Sequence, residues 1–292
     1  MAAGHVCLTL IRFPMSLEEK IAYSIEMIRK AEKLALAMQP KGLWVGFSGG
    51  KDSQVLLELV RMAGVKHRAV YNVTTNDPPE NVYFIRNNYP DVEFNIPKRN
   101  FNKIVEKKGF PSRLQRFCCA ELKEGGGVGY VVLVGVRADE SANRKRYDEV
   151  AIYSKRKEHE GREGHTLEQI IENEHRCIKG KDKVMVYPIL RWSEKDVWQF
   201  HALRQLPRNI CYENSGRVGC MFCPFSSKRE IEYYEQRYPL FKRNLLLHFA
   251  KFLENRKDKE FDTAEEYFEW WKSKESIREY KEKQKQTTLI FD

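Results

Sequence analysis

The chain has no unbroken apolar stretch approaching the ~18 residues that a membrane-crossing helix requires, so no spanning segment is expected. A secretory leader is not expected either. The opening MAAGHVCLTLIRFP has some apolar character but lacks a basic start and a convincing cleavage site, and it reads as a strand or arm. A disulfide framework is equally unexpected: the seven cysteines are odd in number and scattered through 292 residues. That usage suits a reducing compartment, the cytoplasm, with some thiols left to serve a metal. Internal repeats and low-complexity segments are missing. Acidic residues are the minority charge, 41 against 51 Lys and Arg, and the resulting +10 suits a polyanionic partner such as nucleic acid or a nucleotide. A lysine-rich solvated surface would give the same balance. The hydrophobic share of 42% is ordinary, so this length supports one large α/β domain, or one with a helical appendage.

The apolar pattern supplies the organisation. Ser16-Leu-Glu-Glu19 is a capping box ahead of Ile21, Ile25, Ile28 and Leu34, which predicts a helix ending near Pro40. Leu43–Phe47 reads as a short buried strand, followed at once by Ser48-Gly-Gly-Lys-Asp-Ser53 and a helix over 54–62. Strands are predicted at 67–73, 92–96, 130–136 and 184–189, with helices at 80–88 and 101–107 between them. This alternation predicts a doubly wound, mainly parallel α/β sheet. Residues 151–183 are dense in charges of both signs and read as a surface insertion. After Pro224 the chain turns helical and aromatic, with Thr263-Ala-Glu-Glu266 capping a helix that bears Tyr267, Phe268, Trp270 and Trp271. Core packing is the plainer account of those rings, a base-stacking surface the sharper one. The expected layout is an arm and helix over 1–40, a nucleotide-binding domain over 41–226, and a helical region over 227–292.

The Gly-Gly turn between strand and helix carries the chemistry. Glycines let backbone N–H groups approach an anion closely, and the helix N-terminus adds partial positive charge. Lys51 supplies a full charge, Ser48 and Ser53 supply hydroxyls, and Asp52 can cap the helix or help hold Mg²⁺. The motif is too compact for a Walker loop. The second strand runs into Val73-Thr-Thr-Asn-Asp77-Pro-Pro-Glu80, at the sheet end where ligands bind in such folds. Thr75 and Asp77 are therefore candidates for ribose or metal contact, against a plain Pro-Pro turn with an Asx cap.

A second constellation is Cys118 and Cys119, adjacent in Arg116-Phe-Cys-Cys-Ala-Glu-Leu-Lys123, with Cys220-Met-Phe-Cys223 about a hundred residues on. Four thiolates suit tetrahedral zinc or a cubane iron–sulfur cluster. Zinc ligands are usually spaced by two or more residues, which the adjacent pair does not respect. Cys7, Cys177 and Cys211 show no comparable pattern.

Ser48–Ser53 resembles the PP-loop of ATP pyrophosphatases, and the cysteine layout resembles the 4Fe–4S site of assimilatory adenylyl-sulfate reductases. Together with Gly135-Val-Arg137-Ala-Asp-Glu140-Ser141-Ala-Asn-Arg144, Pro188-Ile-Leu-Arg-Trp192-Ser-Glu-Lys-Asp196-Val-Trp198 and Arg217-Val-Gly-Cys220, they make residues 40–226 resemble the phosphoadenosine-phosphosulfate (PAPS) reductase family of the adenine-nucleotide α-hydrolase superfamily. The resemblance implies that Ser48, Gly49, Gly50, Lys51 and Ser53 hold the pyrophosphate of ATP, that Asp52 and Asp77 assist Mg²⁺ or nucleotide, and that Arg137 and Arg144 face the anionic part of the substrate. It implies a 4Fe–4S cluster, or zinc as the alternative, on the four cysteines. Two departures matter. Sulfonucleotide reductases usually lose the loop lysine, whereas Lys51 is kept; and they carry a nucleophilic cysteine near the C-terminus, whereas no cysteine follows Cys223. The chain is therefore expected to cleave ATP, resembling the ATP pyrophosphatase component of DNA phosphorothioation, with DNA favoured over tRNA as partner and a cysteine desulfurase-type sulfur donor. A homodimer is compatible with this. The rival expectations are a PAPS or adenylyl-sulfate reductase, and a non-catalytic nucleic-acid-binding subunit with a regulatory nucleotide site.

Overall fold

The computed structural model describes residues 15–153, 167, 183–256 and 260–291. In chain order its elements are α1 (Leu17–Met38), β1 (Leu43–Phe47), α2 (Lys51–Ala63), β2 (His67–Asn72), α3 (Pro79–Asn88), β3 (Glu93–Asn95), α4 (Phe101–Lys108), α5 (Phe117–Leu122), β4 (Val131–Val134), β5 (Val150–Tyr153), β6 (Lys183–Val186), α6 (Glu194–Leu203), α7 (Cys211–Asn214), α8 (Lys228–Arg237), α9 (Pro239–Glu254), α10 (Ala264–Ser273) and α11 (Ile277–Phe291). The strands form one sheet in the order β3-β2-β1-β4-β6-β5. β2 and β3 pair in parallel, as do β4 and β6, while β5 runs antiparallel to β6. This is the mainly parallel α/β sheet expected from the alternation, with an antiparallel edge strand that the alternation did not announce.

The chain forms two compact units: Met1–Val45, Lys51–Arg68 and Gly129–Leu206 make the first, and Gly46–Gly50, Ala69–Val128 and Pro207–Asp292 the second. In the first, α1 opens with the capping box of Ser16 and Glu19 and buries Met27, Ile28, Ala31, Leu34 and Ala35. Ser24 donates to the Pro188 carbonyl at 2.7 Å and accepts the Trp192 indole N–H at 3.1 Å. Lys20 pairs with Asp196 at 2.5 Å, and Asp196 completes a capping box with Ser193 at the start of α6. The Pro188–Trp198 stretch thus serves chiefly to fasten α6 to α1. β5 begins at Val150, just ahead of the charged stretch, and β6 begins at Lys183; apart from Leu167, the residues between them lie outside the described set, as do Cys7 and Cys177.

In the second unit the aromatic run of the C-terminal helices is core. Phe110 stacks on Phe249 with centroids 4.2 Å apart and on Trp271 at 5.4 Å, and the Trp271 indole N–H reaches the Pro111 carbonyl at 2.7 Å. Phe268 is fully buried, while Tyr267 and Trp270 pack at the margin. Each such ring contributes roughly 1.5–3 kcal/mol by burial. The same cluster takes in Leu122, Met221 and Phe222, with Phe117 and Cys118 against it, so the aromatic helices clamp both cysteine-bearing segments.

Candidate active site

The Ser48-Gly49-Gly50 part of the loop belongs to the second unit. Gly49 has φ +76°, a left-handed conformation that glycine adopts without cost. A Cβ there would stand 2.4 Å from Asn81 Oδ1 and about as close as van der Waals contact forbids to Ile85. Asn81 is not passive: its Nδ2 donates to the Ser48 carbonyl at 3.1 Å. The fully buried Asn209 donates to the Gly49 carbonyl at 3.0 Å and to Asn81 Oδ1 at 2.7 Å, while its own oxygen accepts from the Cys211 N–H at 3.0 Å. In a planar trans peptide the C=O and the next N–H point in opposite directions. Turning the Ser48 and Gly49 carbonyls onto the two asparagines therefore turns the Gly49 and Gly50 N–H groups to the other side, the orientation an anion cradle needs. Sequence reasoning missed both asparagines, because nothing local marks them: one lies in the first turn of α3, the other in a Pro-Arg-Asn loop.

Lys51 follows Gly50 directly and opens α2 in the first unit. Asp52 does not stand alone for a metal. Arg137 Nε donates to Asp52 Oδ1 at 2.5 Å, and Lys51 Nζ reaches Oδ2 at 3.2 Å, so the carboxylate bridges two cations. Lys51 also lies 3.8 Å from Glu194. Arg137 is 3% exposed, and its Nη1 has no hydrogen-bond acceptor among the described residues, only a loose approach to Asp139 at 3.7 Å. A buried guanidinium N–H left without an acceptor costs free energy unless a ligand supplies one. Gly135 works with it: a Cβ there would lie 2.8 Å from the Asp52 carbonyl oxygen, so glycine lets the end of β4 press onto the first turn of α2. On the other side the His201 imidazole Nε2 donates to the Lys51 carbonyl at 3.0 Å; burial holds its pKa below the usual value and keeps it neutral. Arg144 differs in character: it is half-buried and paired with Glu140. Ser53 is buried in α2.

Thr75 and Asp77 are committed locally. Asp77 Oδ2 accepts the Thr74 N–H at 2.7 Å, three residues back, and so closes the Thr74–Asp77 turn. Thr75, at φ +57°, accepts the Phe101 N–H at 2.7 Å and so holds the start of α4. With Asp52 bridging two cations and Asp77 closing a turn, these carboxylates do not fit a dedicated Mg²⁺ site.

Cys118, Cys119, Cys220 and Cys223 do come together: all four line one cavity of about 50 Å³ in the second unit, with Thr74, Asn76, Arg116, Lys123 and Arg217. None is in a disulfide, and each is partly exposed. Cys118 and Cys119 share a proton through a hydrogen bond that lowers the Cys119 pKa, with Arg116 adding to the effect, and raises that of Cys118. Cys220 Sγ donates to the Thr74 hydroxyl at 3.5 Å, and the Met221 N–H bonds the Asn76 carbonyl at 2.8 Å, which fixes the Cys-Met-Phe-Cys loop beside the end of β2. Four thiols with a cation beside them fit a sulfur-ligated metal group in donor chemistry. Among the described residues, no three His, Cys, Asp or Glu side chains gather closely enough for a single ion. Cys211, buried, has its pKa pushed up to about 12 by desolvation and takes no part.

Residues 42–226, more than half of the chain, match the model described as the phosphoadenosine phosphosulfate reductase domain. The chain belongs to the PAPS reductase family. Among curated proteins it is similar to the uncharacterized protein MJ0973 of Methanocaldococcus jannaschii, 25% identical over 242 residues, covering 76% of this chain. The chain spans about half, 54%, of that relative's length. Similar solved structures include a PAPS reductase from Candida auris in a phosphate complex (13% identity, 72% of this chain and 98% of that one, TM-score 0.43). An FMN adenylyltransferase from Candida glabrata in complex with ATP (13%, 73% and 65%, 0.44) and the U34-tRNA thiolase NcsA from Methanococcus maripaludis with its [4Fe-4S] cluster (16%, 82% and 82%, 0.42) are also similar. Among the described residues of this PAPS reductase family member, no helix is long and apolar enough to cross a membrane.

Proposed function

We propose that this PAPS reductase family member is an ATP pyrophosphatase of sulfur transfer, which adenylates an oxygen of a nucleic acid, DNA in preference to tRNA. The observation that carries the reading is the pair of cations at the start of α2: Lys51, directly after the two glycines, and the buried Arg137, held side by side by Asp52, with no acceptor for Arg137 Nη1 among the described residues. Paired cations preorganised for an anion stabilise charge that builds on a departing pyrophosphate, and do so without reorganising at the moment of reaction. Arg137 offers a planar fork suited to phosphate. In the proposed step an acceptor oxygen attacks the α-phosphorus of ATP. A new P–O bond forms, the α–β P–O bond breaks, and pyrophosphate leaves with the electron pair. A donor protein such as a cysteine desulfurase supplies the sulfur as a persulfide: its terminal sulfur attacks the adenylated centre and AMP leaves with the bridging oxygen. A thiol reductant then cleaves the S–S bond, forming a disulfide with the donor cysteine and leaving the sulfur on the acceptor. Lys51 and Arg137 meet the phosphate charge, and Mg²⁺ would accompany ATP.

Cys118, Cys119, Cys220 and Cys223 would hold a 4Fe–4S cluster, and such a group supplies a thiophilic Lewis acid or electron-transfer centre when bound. Support comes from the donor set: four thiols on one cavity wall, with Arg116 favouring the thiolate.

The test is pyrophosphate release from ATP in the presence of DNA, tRNA or PAPS. DNA-dependent release by the native chain, lost on Lys51→Ala at an unchanged melting temperature, is the expected result. Unchanged turnover in Lys51→Ala would remove the loop from the chemistry. Sulfite release from PAPS would favour a reductase, and no pyrophosphate with any acceptor a non-catalytic subunit.

A further inference from the structure

The mouth of the four-thiol cavity carries an exposed aromatic in a cationic setting. Phe225 lines the cavity and is 46% exposed, and the Arg116 guanidinium lies over its ring at 5.4 Å. The ring sits on a pinned segment. The Pro224 carbonyl accepts from Lys274 Nζ at 3.0 Å and from Arg113 Nε at 3.4 Å, and the Ser226 N–H bonds the Cys223 carbonyl at 2.9 Å. Leu114, between Arg113 and Arg116 in sequence, is 96% exposed. A face for a protein partner would mix both signs around its apolar centre. Here Arg113, Arg116, Arg217 and Lys274 surround it, with Glu124 beside Arg116 at 3.9 Å and Glu230 beside Arg217 at 3.6 Å as the acids.

A second cationic feature lies in the same unit. Lys108, at the end of α4, pairs with Glu121 of the cysteine helix at 2.5 Å and stands over the Phe117 ring at 5.4 Å. Its neighbour Lys107 lines a groove of about 820 Å³ with Arg99, Lys103, Lys251 and Arg256. Glu106 and Glu254 are the acids in that groove, and Glu106 is already taken by Lys103 and His248.

We infer that this surface binds single-stranded DNA: the groove cations track the phosphates, and one unpaired base stacks on Phe225 and Arg116 at the entrance to the four-thiol cavity. The ring selects a base, because an exposed aromatic face gains from π-stacking. The unpaired state follows from the same point, since a duplex keeps its base faces stacked on one another. The cations select a polyanion. The inference rests on the nucleic-acid reading above and adds the docking surface and the strandedness.

The experiment uses the full chain, purified without oxygen, and a fluorescein-labelled 12-mer of single-stranded DNA, followed by anisotropy across a salt series. Phe225→Ala should weaken binding roughly 10- to 100-fold, the loss of one stacked base, and leave the salt slope unchanged. Phe225→Trp should restore it. Lys107→Gln with Lys251→Gln should flatten the slope of log K against log salt by about 1.4, two single-strand phosphate contacts. Phe225 is half exposed, so its replacement is expected to leave thermal melting as it was. Affinity within two-fold of the native chain for Phe225→Ala, or tighter binding of duplex DNA or of the matching RNA, overturns the assignment. The two readings fail separately: DNA binding without pyrophosphate release sinks the chemistry and leaves the surface standing, and DNA-dependent release unaffected by Phe225→Ala does the reverse.

Discussion

Gly49→Ala and Gly50→Ala, one residue apart in the same loop, should behave very differently. At Gly49 the backbone is left-handed at φ +76°, which costs a residue with a Cβ about 1–2 kcal/mol. The new methyl would also stand 2.4 Å from Asn81 Oδ1, with Ile85 Cγ1 and Cδ1 at 3.1 and 3.2 Å. Asn81 cannot step back freely: its oxygen accepts from Asn209 at 2.7 Å and its amide donates to Ser48 at 3.1 Å. Displacing it breaks one or both of these bonds in a buried setting, at about 1–3 kcal/mol for each group orphaned. The sum, roughly 3–5 kcal/mol, is a large part of the 5–15 kcal/mol that usually separates folded from unfolded chains. At Gly50 the nearest atoms to an added Cβ are Ser48 Oγ at 3.3 Å, Tyr212 Oη at 3.4 Å and Val218 Cβ at 3.7 Å. Two of these are hydroxyls that can swing aside, so the expected loss is below about 1 kcal/mol. Urea melts of the two variants, alongside pyrophosphate release, make the comparison. Gly49→Ala should lose both stability and turnover, while Gly50→Ala melts close to the native chain. Equal midpoints for the two variants would refute the claim that Asn81 and Asn209 lock the loop.

Three further outcomes follow from the same geometry. Asn209→Ala should lose roughly 2–4 kcal/mol in a urea melt, because it leaves the Gly49 carbonyl, Asn81 Oδ1 and the Cys211 N–H unpaired, and should raise the KM for ATP; a shift under ~0.5 kcal/mol would deny it that role. Burial pushes the Asp196 carboxyl up, but hydrogen bonds from Lys20 and Ser193 outweigh it and hold the pKa below the ordinary value. A depressed carboxyl stabilises the fold above its unfolded pKa of about 4 and ceases to as pH falls through the folded value, so the native chain should lose stability in acid more steeply than Asp196→Asn; parallel acid limbs in pH-dependent melts would contradict this. Anaerobically purified protein should be brown, with absorbance near ~400 nm that falls in Cys220→Ser; a colourless protein carrying one zinc per chain would assign the four thiols to zinc instead.

The parts of the fold that could be read from sequence are those set by neighbours along the chain. The capping boxes at Ser16 and Thr263 are both present, and β1 spans Leu43–Phe47 as its apolar run predicts. β5 escaped because four residues at the edge of a charged stretch carry too little periodicity to register, and its place is set by pairing with β6. α5 escaped because it is six residues long and its turns are spent on cysteines; the aromatic cluster beneath Phe117 and Leu122 supports it, and that depends on packing rather than propensity.

The site divides in the same way. The loop was legible as a strand-to-helix turn because its glycines, lysine and serines are consecutive. What holds it in that shape was not legible, since Asn81 and Asn209 lie 33 and 160 residues from the carbonyls they bind. Asp52 shows the limit most clearly. Its sequence position allowed a cap or a metal ligand, and both readings assumed an uncommitted carboxylate. Arg137, 85 residues away, occupies one oxygen and Lys51 the other. The acid therefore acts through the cations it aligns: Asp52→Asn, which keeps the size but removes the negative charge between them, should weaken ATP binding by letting Arg137 and Lys51 repel each other. Added Mg²⁺ should not rescue it, whereas a variant that had lost a metal ligand would recover as Mg²⁺ rises.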